Sequence, residues 1–406
     1  MKLGYLILLS VALIGMVSCE APAPTPTPSA SAPPPTPIPA PTPLPTPKSA
    51  PTPTIPTSEH QQEEVYYLLV GTNEPEKYIL PTFEELEREK GGLARNYPGT
   101  VKGVHEPSPD YANRLIRKWL PELEDSGLNT FQVLPHYFYE NNEFVLRSVV
   151  TSMDCLMGEK AERDYIDQVV KAKKAGFAVH LMPICSPAPE VAPDPDAINE
   201  FALREARKWA QVAEEYQVEY FSPFGEYERA IARQGLSEAV AVERVNSWNQ
   251  KVLAEVRPVF KGKIILKVGA KFLDSDPAQF ASGYDMLTVT TTGFPSAARF
   301  EEDLNRFPER IRGIFDKAQE VAERDNVEWM AHFFISTEGR PEEQSVEIFS
   351  IVFEEYTKTL REEQKPVGFT FTGWEASARR MKDTEVVPFL KQFFHDIDSA
   401  EFDGTE

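Results

Sequence analysis

Phe177-Ala178-Val179-His180-Leu181-Met182 is a short run of apolar and β-branched residues, and Val218-Glu219-Tyr220-Phe221 is the next run of the same kind. Between them Asp194-Pro195 opens a segment in which Ala202, Ala206, Trp209, Ala210 and Ala213 fall on one face of a helix. An aspartate can accept the free N–H groups of a first turn, and proline at the first helical position has no N–H to leave unpaired. The unit therefore reads as strand, crossover helix, strand.

Moving outward, the same pattern recurs along the chain. The predicted strands are Val101–His105, Asn129–Leu134, Phe177–Met182, Val218–Phe221, Ile264–Val268, Met286–Thr290, Trp329–Phe334 and Val367–Thr372. Ser108-Pro109 starts a helix with an apolar stripe of Ala112, Leu115, Ile116, Trp119 and Leu120. Pro121 is expected to end or kink that helix, and Gly127 to close the segment. Long helices charged on the outside are expected near 301–325 and 341–364. Eight parallel strands with crossover helices close into an α/β fold, the (β/α)8 TIM barrel. An open doubly wound sheet is the alternative, but no glycine-rich phosphate turn follows an early strand; Gly71 and Gly91-Gly92 do not make one.

The barrel is assigned to residues 101–397, with an acidic tail at 398–406. Residues 58–100 form an N-terminal extension that packs on the barrel. In it Val65–Val70 reads as an extra strand at the barrel's bottom or side. Sixteen of the 36 prolines lie between Glu20 and Thr57, interleaved with Thr, Ala and Ser, so 20–57 is a disordered tether with too little apolar surface to fold. Residues 1–19 carry Lys2, an apolar run from Leu6 to Val17, and Met16-Val17-Ser18-Cys19. The segment resembles a lipoprotein signal peptide whose Cys19 is lipidated and becomes the new N-terminus. An ordinary signal peptide or a short anchor helix is the alternative. The lipoprotein reading implies a protein held at the outer surface of a membrane, or otherwise extracellular, touching the membrane only through the lipid.

The net charge is −21, and residues 1–57 contribute only Lys2, Lys48 and Glu20, so the folded part is strongly acidic. Nucleic acid and anionic headgroups are disfavoured as partners, since both need a positive surface. Cys155 and Cys185 are either one bridge or two unpaired thiols. Neither has a second ligand at zinc spacing, so no metal site is expected.

In a barrel, chemistry sits at the C-terminal ends of the strands. The fourth strand continues as Ser222-Pro223-Phe224-Gly225-Glu226-Tyr227-Glu228, and the seventh as Ser336-Thr337-Glu338-Gly339-Arg340. Each delivers a glutamate just past its strand, and two facing carboxyls are what retaining glycosidic cleavage needs. The eighth strand runs Gly368-Phe369-Thr370-Phe371-Thr372-Gly373-Trp374-Glu375. In the order and placement of these three segments the chain resembles the clan A superfamily of retaining (β/α)8 glycoside hydrolases. The resemblance implies Glu226 as acid/base, Glu338 as nucleophile and Trp374 as the floor under the sugar. It also departs from the family. Gly225 stands where asparagine usually holds the 2-hydroxyl, and the sixth strand, ending Thr290-Thr291-Thr292-Gly293, lacks the tyrosine often found there. An asparagine at 225 would restore the amide, with added strain only if Gly225 has a positive φ.

Other residues at strand ends complete the expected site. His136 and Tyr137 end the second strand as a polar aromatic pair that could line a sugar site, Glu106 closes the first, and Glu375 is a rim acceptor. His180, inside the third strand, is read as core or as support. The expected function is a glycosidase acting on a β-linked polysaccharide or oligosaccharide as a monomer, without metal or organic cofactor. The alternatives are a non-catalytic carbohydrate-binding barrel and, less favoured, a solute-binding lipoprotein, which would need two lobes and open sheets.

Overall fold

A computed structural model describes residues 65–68, 76–106, 115–149, 155–187, 194–275, 280–291, 294–295, 299–335, 341–360, 365–374, 381–382 and 384–402. Eight parallel strands form a closed barrel in chain order: β1 (Val101–His105), β2 (Thr130–Val133), β3 (Ala178–Leu181), β4 (Tyr220–Phe221), β5 (Lys263–Gly269), β6 (Met286–Thr291), β7 (Glu328–Phe333) and β8 (Gly368–Thr372), with β8 pairing back onto β1. Each agrees with an expected strand to within two residues at either end.

Successive side chains of a strand point to opposite faces, so alternate residues build the barrel lumen. Val101, Ala178, Tyr220, Ile265, Met286 and Met330 pack into one apolar cluster, the lumen floor. The outward set (Val104, Phe131, Val179, Phe221, Leu266, Leu287, Ala331 and Phe369 among it) joins the large core shared with the helices. That core contains the stripe predicted from the sequence. Ala202, Ala206, Trp209, Ala210 and Ala213 are all buried along the helix Pro195–Glu215, and Asp194 caps it by accepting the Asp196 N–H at 2.9 Å.

The extension anchors to the bottom and side of the barrel. Arg95 donates to the Val218 carbonyl at 2.9 Å, the Asn96 N–H to Glu219 at 2.7 Å, and Tyr97 meets Tyr220 edge-on at 5.6 Å. Val65–Leu68 is a strand, as expected, paired antiparallel with Glu76–Ile79. Tyr78 of that hairpin lies under the Arg117 guanidinium, 3.3 Å from its ring centre, and Arg117 pairs with Asp164 and Asp167.

Three local expectations are corrected. Pro121 does not end its helix. A π-helical turn, Leu115–Trp119, runs directly into the α-helix Leu120–Asp125, so the helix continues through the proline and changes its hydrogen-bonding register just before it, where the missing N–H and the ring disfavour the ordinary ladder. His136 and Tyr137 do not end the second barrel strand. They begin His136–Glu140, one strand of a separate four-stranded sheet with Glu143–Val149, Cys155–Met157 and Ile184–Pro187. Finally, Cys185 is a free, half-buried thiol that burial pushes up to about 12, so Cys155 and Cys185 do not form a bridge. Among the described residues no helix is long and apolar enough to cross a membrane.

Candidate active site at the barrel mouth

Glu226 stands where the chain leaves β4. Its backbone is left-handed, φ 51° and ψ 44°, a conformation that costs a residue with a side chain on the order of 1 kcal/mol or more and that persists only where surrounding contacts fix it. Those contacts come from three elements. The Thr290 hydroxyl, at the end of β6, donates to Glu226 Oε1 at 2.7 Å; Arg229 pairs with Oε2 at 2.6 Å; and Lys267 Nζ of β5 lies 3.9 Å from Oε1. The carboxyl is therefore oriented at the mouth while remaining partly exposed.

Gly225 is held by its N–H, which donates to the Pro183 carbonyl at 2.8 Å. Its φ is not in the left-handed region; the positive φ of this loop belongs to Glu226. What demands a glycine is space. A Cβ at 225 would lie 2.7 Å from Ile184 Cγ2 and 2.8 Å from Met182 Sδ. An asparagine amide therefore cannot be added here without moving the wall made by Met182, just past β3, and by Ile184 of the added sheet.

Glu228 lies two residues on, in the first turn of the short helix Tyr227–Ala232, and accepts the Gly269 N–H at 2.7 Å. Burial, with the Glu226 carboxyl close by, pushes it up to about 7. The folded state thus holds this proton more tightly than the unfolded chain. Stability conferred by the protonated form is lost as pH rises from the ordinary carboxylate range through about 7. Glu228→Gln should flatten that slope and at pH 8 regain on the order of 3 kcal/mol relative to its effect at pH 4. Chemical denaturation of both proteins across pH 4–8 measures this; parallel curves would refute it.

Below the carboxyls the lumen is polar, with side chains of β1, β2, β3, β7 and β8 and that of Ser222, just past β4, joined in one hydrogen-bonded run. Thr370 meets His332 Nδ1 at 2.6 Å, and His332 Nε2 meets Thr372 at 2.8 Å. Thr372 meets His105 Nε2 at 3.2 Å, and His105 Nδ1 meets Gln132 Oε1 at 2.5 Å. Gln132 Nε2 meets His180 Nδ1 at 2.7 Å, and His180 Nε2 meets Ser222 at 2.8 Å. The Gln132 carbonyl can only accept, so His105 donates from Nδ1 and accepts at Nε2; every later bond then has one consistent direction, ending on Ser222. His180 and His332 are neutral in this arrangement, and burial lowers both, His180 to about 3.

The remaining expected site residues are distributed as follows. Trp374 follows β8 and its N–H donates to Glu106 at 2.6 Å, so these two do meet at the mouth. The indole, however, is fully covered rather than presented as an open floor, and its Nε1–H has no partner among the described residues. His136 lies on the opposite face of its strand from Tyr137. Its Nε2 is also unpartnered among the described residues, and burial lowers the imidazole to about 4. Tyr137 points the other way: its hydroxyl donates to Glu205 at 2.5 Å and accepts from Trp209 at 2.8 Å, in the helical layer. The expectation that it lines a sugar site is thus corrected: the side chain is buried against the helix Pro195–Glu215. Glu338, Glu375 and Cys19 lie outside the described residues. No group of His, Cys, Asp and Glu among the described residues is arranged to hold a metal.

Sequence reasoning missed Lys267, Thr290, Glu228, Gln132 and His332. The signal was present as polar residues two apart inside apolar strands, Thr288/Thr290 and Thr370/Thr372, and as Lys267 between Leu266 and Val268.

No protein-family model matches the chain, and no curated protein matches it in sequence. Solved structures do. A GH113 β-1,4-mannanase superposes with a TM-score of 0.53 at 13% identity, covering 73% of this chain and 98% of its own. The GH113 β-mannanase from Alicyclobacillus acidocaldarius, in complex with ManMIm, gives 0.53 at 13% over 74% and 98%. The cellulose synthase subunit Z from Clostridioides difficile gives 0.51 at 14% over 73% and 99%. The fold is theirs. The match spans nearly the whole of each neighbour and about three quarters of this chain.

Proposed function

We propose that the protein is a lipid-anchored, extracellular glycoside hydrolase that cleaves a β-linked polysaccharide or oligosaccharide with retention, Glu226 acting as acid/base and Glu338 as nucleophile. The observation that carries this reading is Glu226: a carboxyl past β4, on a strained backbone, oriented by Thr290 and Arg229 in a barrel shared with β-mannanases. In the proposed reaction Glu226 gives its proton to the leaving oxygen while Glu338 bonds to the anomeric carbon. Glu226 then takes a proton from the water that releases the sugar. Thr290 and Arg229 fix the carboxyl, so the proton moves along one direction. Glu106 and His136 are the proposed sugar contacts, with the covered Trp374 held behind Glu106 through its backbone N–H. Glu375 is the proposed rim acceptor, and no cofactor is required.

Release of reducing ends from β-mannan, β-glucan, β-galactan and xylan tests the activity. A second reading, a non-catalytic carbohydrate-binding barrel, is favoured by the packing at Gly225, which leaves no room for the amide against the 2-hydroxyl. Binding of a glycan without any cleavage would select it.

The anchor has its own test. Cys19→Ala should move the protein from the membrane fraction to a soluble or uncleaved form, because the acyl chains supply the membrane affinity. Unchanged partitioning would exclude lipidation at Cys19.

A further inference from the structure

Lys267 occupies the inner face of β5, two residues above Ile265 of the lumen floor, and its side chain is 3% exposed. Removing an ammonium from water is costly unless its N–H groups find acceptors. Other deeply buried lysines of this protein satisfy that demand: Lys102 is hydrogen-bonded to Asp398, and Lys173 to Glu219. Lys267 has no hydrogen bond among the described residues. Its ion-pair contact is Glu226 Oε1 at 3.9 Å, too long for an N–H···O bond, and Glu226 is already engaged by Thr290 and Arg229.

The surroundings do not neutralise it. His180 and His332 are uncharged members of the relay. Glu228 spends one oxygen on the Gly269 N–H, and its raised proton affinity leaves it only partly ionised at neutral pH. Arg229 adds a second cation beside Glu226. Among the described residues in contact with Lys267 and Arg229, positive charge therefore exceeds negative, in a chain of net charge −21. A sugar hydroxyl would accept one N–H from Lys267 and leave the charge uncompensated, whereas a carboxylate would do both.

The geometry points to a β-linked glycan containing uronate residues as the substrate class, with a uronate carboxylate bound at Lys267 Nζ. This inference rests on the saccharide reading given above. The strongly acidic remainder of the chain would repel such a polymer elsewhere, so recognition would be confined to the mouth.

The test compares a β-1,4-linked mannuronate tetramer with its carboxyl-reduced form, β-1,4-mannotetraose, by calorimetry on the intact protein; the pair differs only at C6, a carboxylate against a hydroxymethyl group. The acidic form should bind about ten- to a hundredfold more tightly, the range expected for a charged hydrogen bond. Lys267→Met should bring that ratio close to one. Equal binding of both forms by the unaltered protein would overturn the inference and leave the saccharide reading standing. So would a ratio that survives Lys267→Met. If the variant fails to fold, the comparison on the unaltered protein decides alone. Binding of neither form, nor of any neutral β-glycan, would remove the saccharide reading and this inference with it.

Discussion

Glu226→Gln is expected to leave the barrel folded and to lower turnover on a β-linked glycan by about 10²–10⁴-fold, the range for loss of a positioned acid/base. Glutamine keeps the shape: its carbonyl can accept from Arg229 in place of Oε2, and its amide N–H can donate to the Thr290 hydroxyl oxygen in place of Oε1, so the left-handed turn should survive. What it cannot do is give up and retake the proton. The two steps of double displacement should suffer unequally. A substrate with a good leaving group needs no protonation, so its first step should be spared and the glycosyl-enzyme should accumulate as a burst. Initial rates on paired substrates with poor and good leaving groups, alongside thermal melts, measure this. A folded variant with near-normal rates on both would show that Glu226 is a structural charge. The partner substitution Glu338→Gln should abolish both steps, since it removes the group that forms the covalent bond.

Gly225→Asn should act in the opposite sense from the expectation that the family resemblance suggests. Restoring the amide would be a gain if space allowed. The added Cβ instead meets Ile184 Cγ2 at 2.7 Å and Met182 Sδ at 2.8 Å. Ile184 is β-branched and sits in a strand paired with His136, so its methyl cannot swing away freely. Overpacking of this kind costs about 1–3 kcal/mol and displaces neighbouring backbone. Because Glu226 is the next residue, a shift of the loop should also misplace the carboxyl. Lower stability and a clear loss of turnover are expected together. Melting temperature and kcat/KM read them out, and a variant as stable and at least as active as the parent would show that the wall yields.

How far the sequence alone reached can be judged at particular residues. The barrel was legible because most strands are short apolar, β-branched runs and some crossover helices carry start signals such as Asp194-Pro195. The added sheet was not recognised, although its hairpin has a clear marker. Asn141 and Asn142, both with positive φ, form the two-residue turn between His136–Glu140 and Glu143–Val149. Without that hairpin, His136 and Tyr137 fall at a barrel strand's end, and Tyr137 is given the wrong face. Glu226 could be found from order along the chain, because a strand end is a position in sequence. Lys267, Thr290 and the histidine relay could not be joined in the same way, since their contacts cross between strands and depend on the register of closure. Gly225 was misread for a different reason: a glycine can be required by its own φ or by a neighbour's volume, and only coordinates separate the two.

The polar lumen also bears on how the chain folds. An apolar barrel interior can collapse in stages, because partial contact between a few strands already removes hydrocarbon from water. Here the partners lie far apart along the chain. Thr372 meets His105 across 267 residues, the Trp374 N–H meets Glu106 across 268, and Lys102 meets Asp398 across 296. Until β8 docks on β1, His105, His332 and Lys102 have no complete set of partners, and burying them early would be unfavourable. Half of this barrel is therefore a poor folding unit on its own. Contacts of such long sequence separation slow the search, so closure should come late and all at once, completing the fold and the floor of the site in the same event.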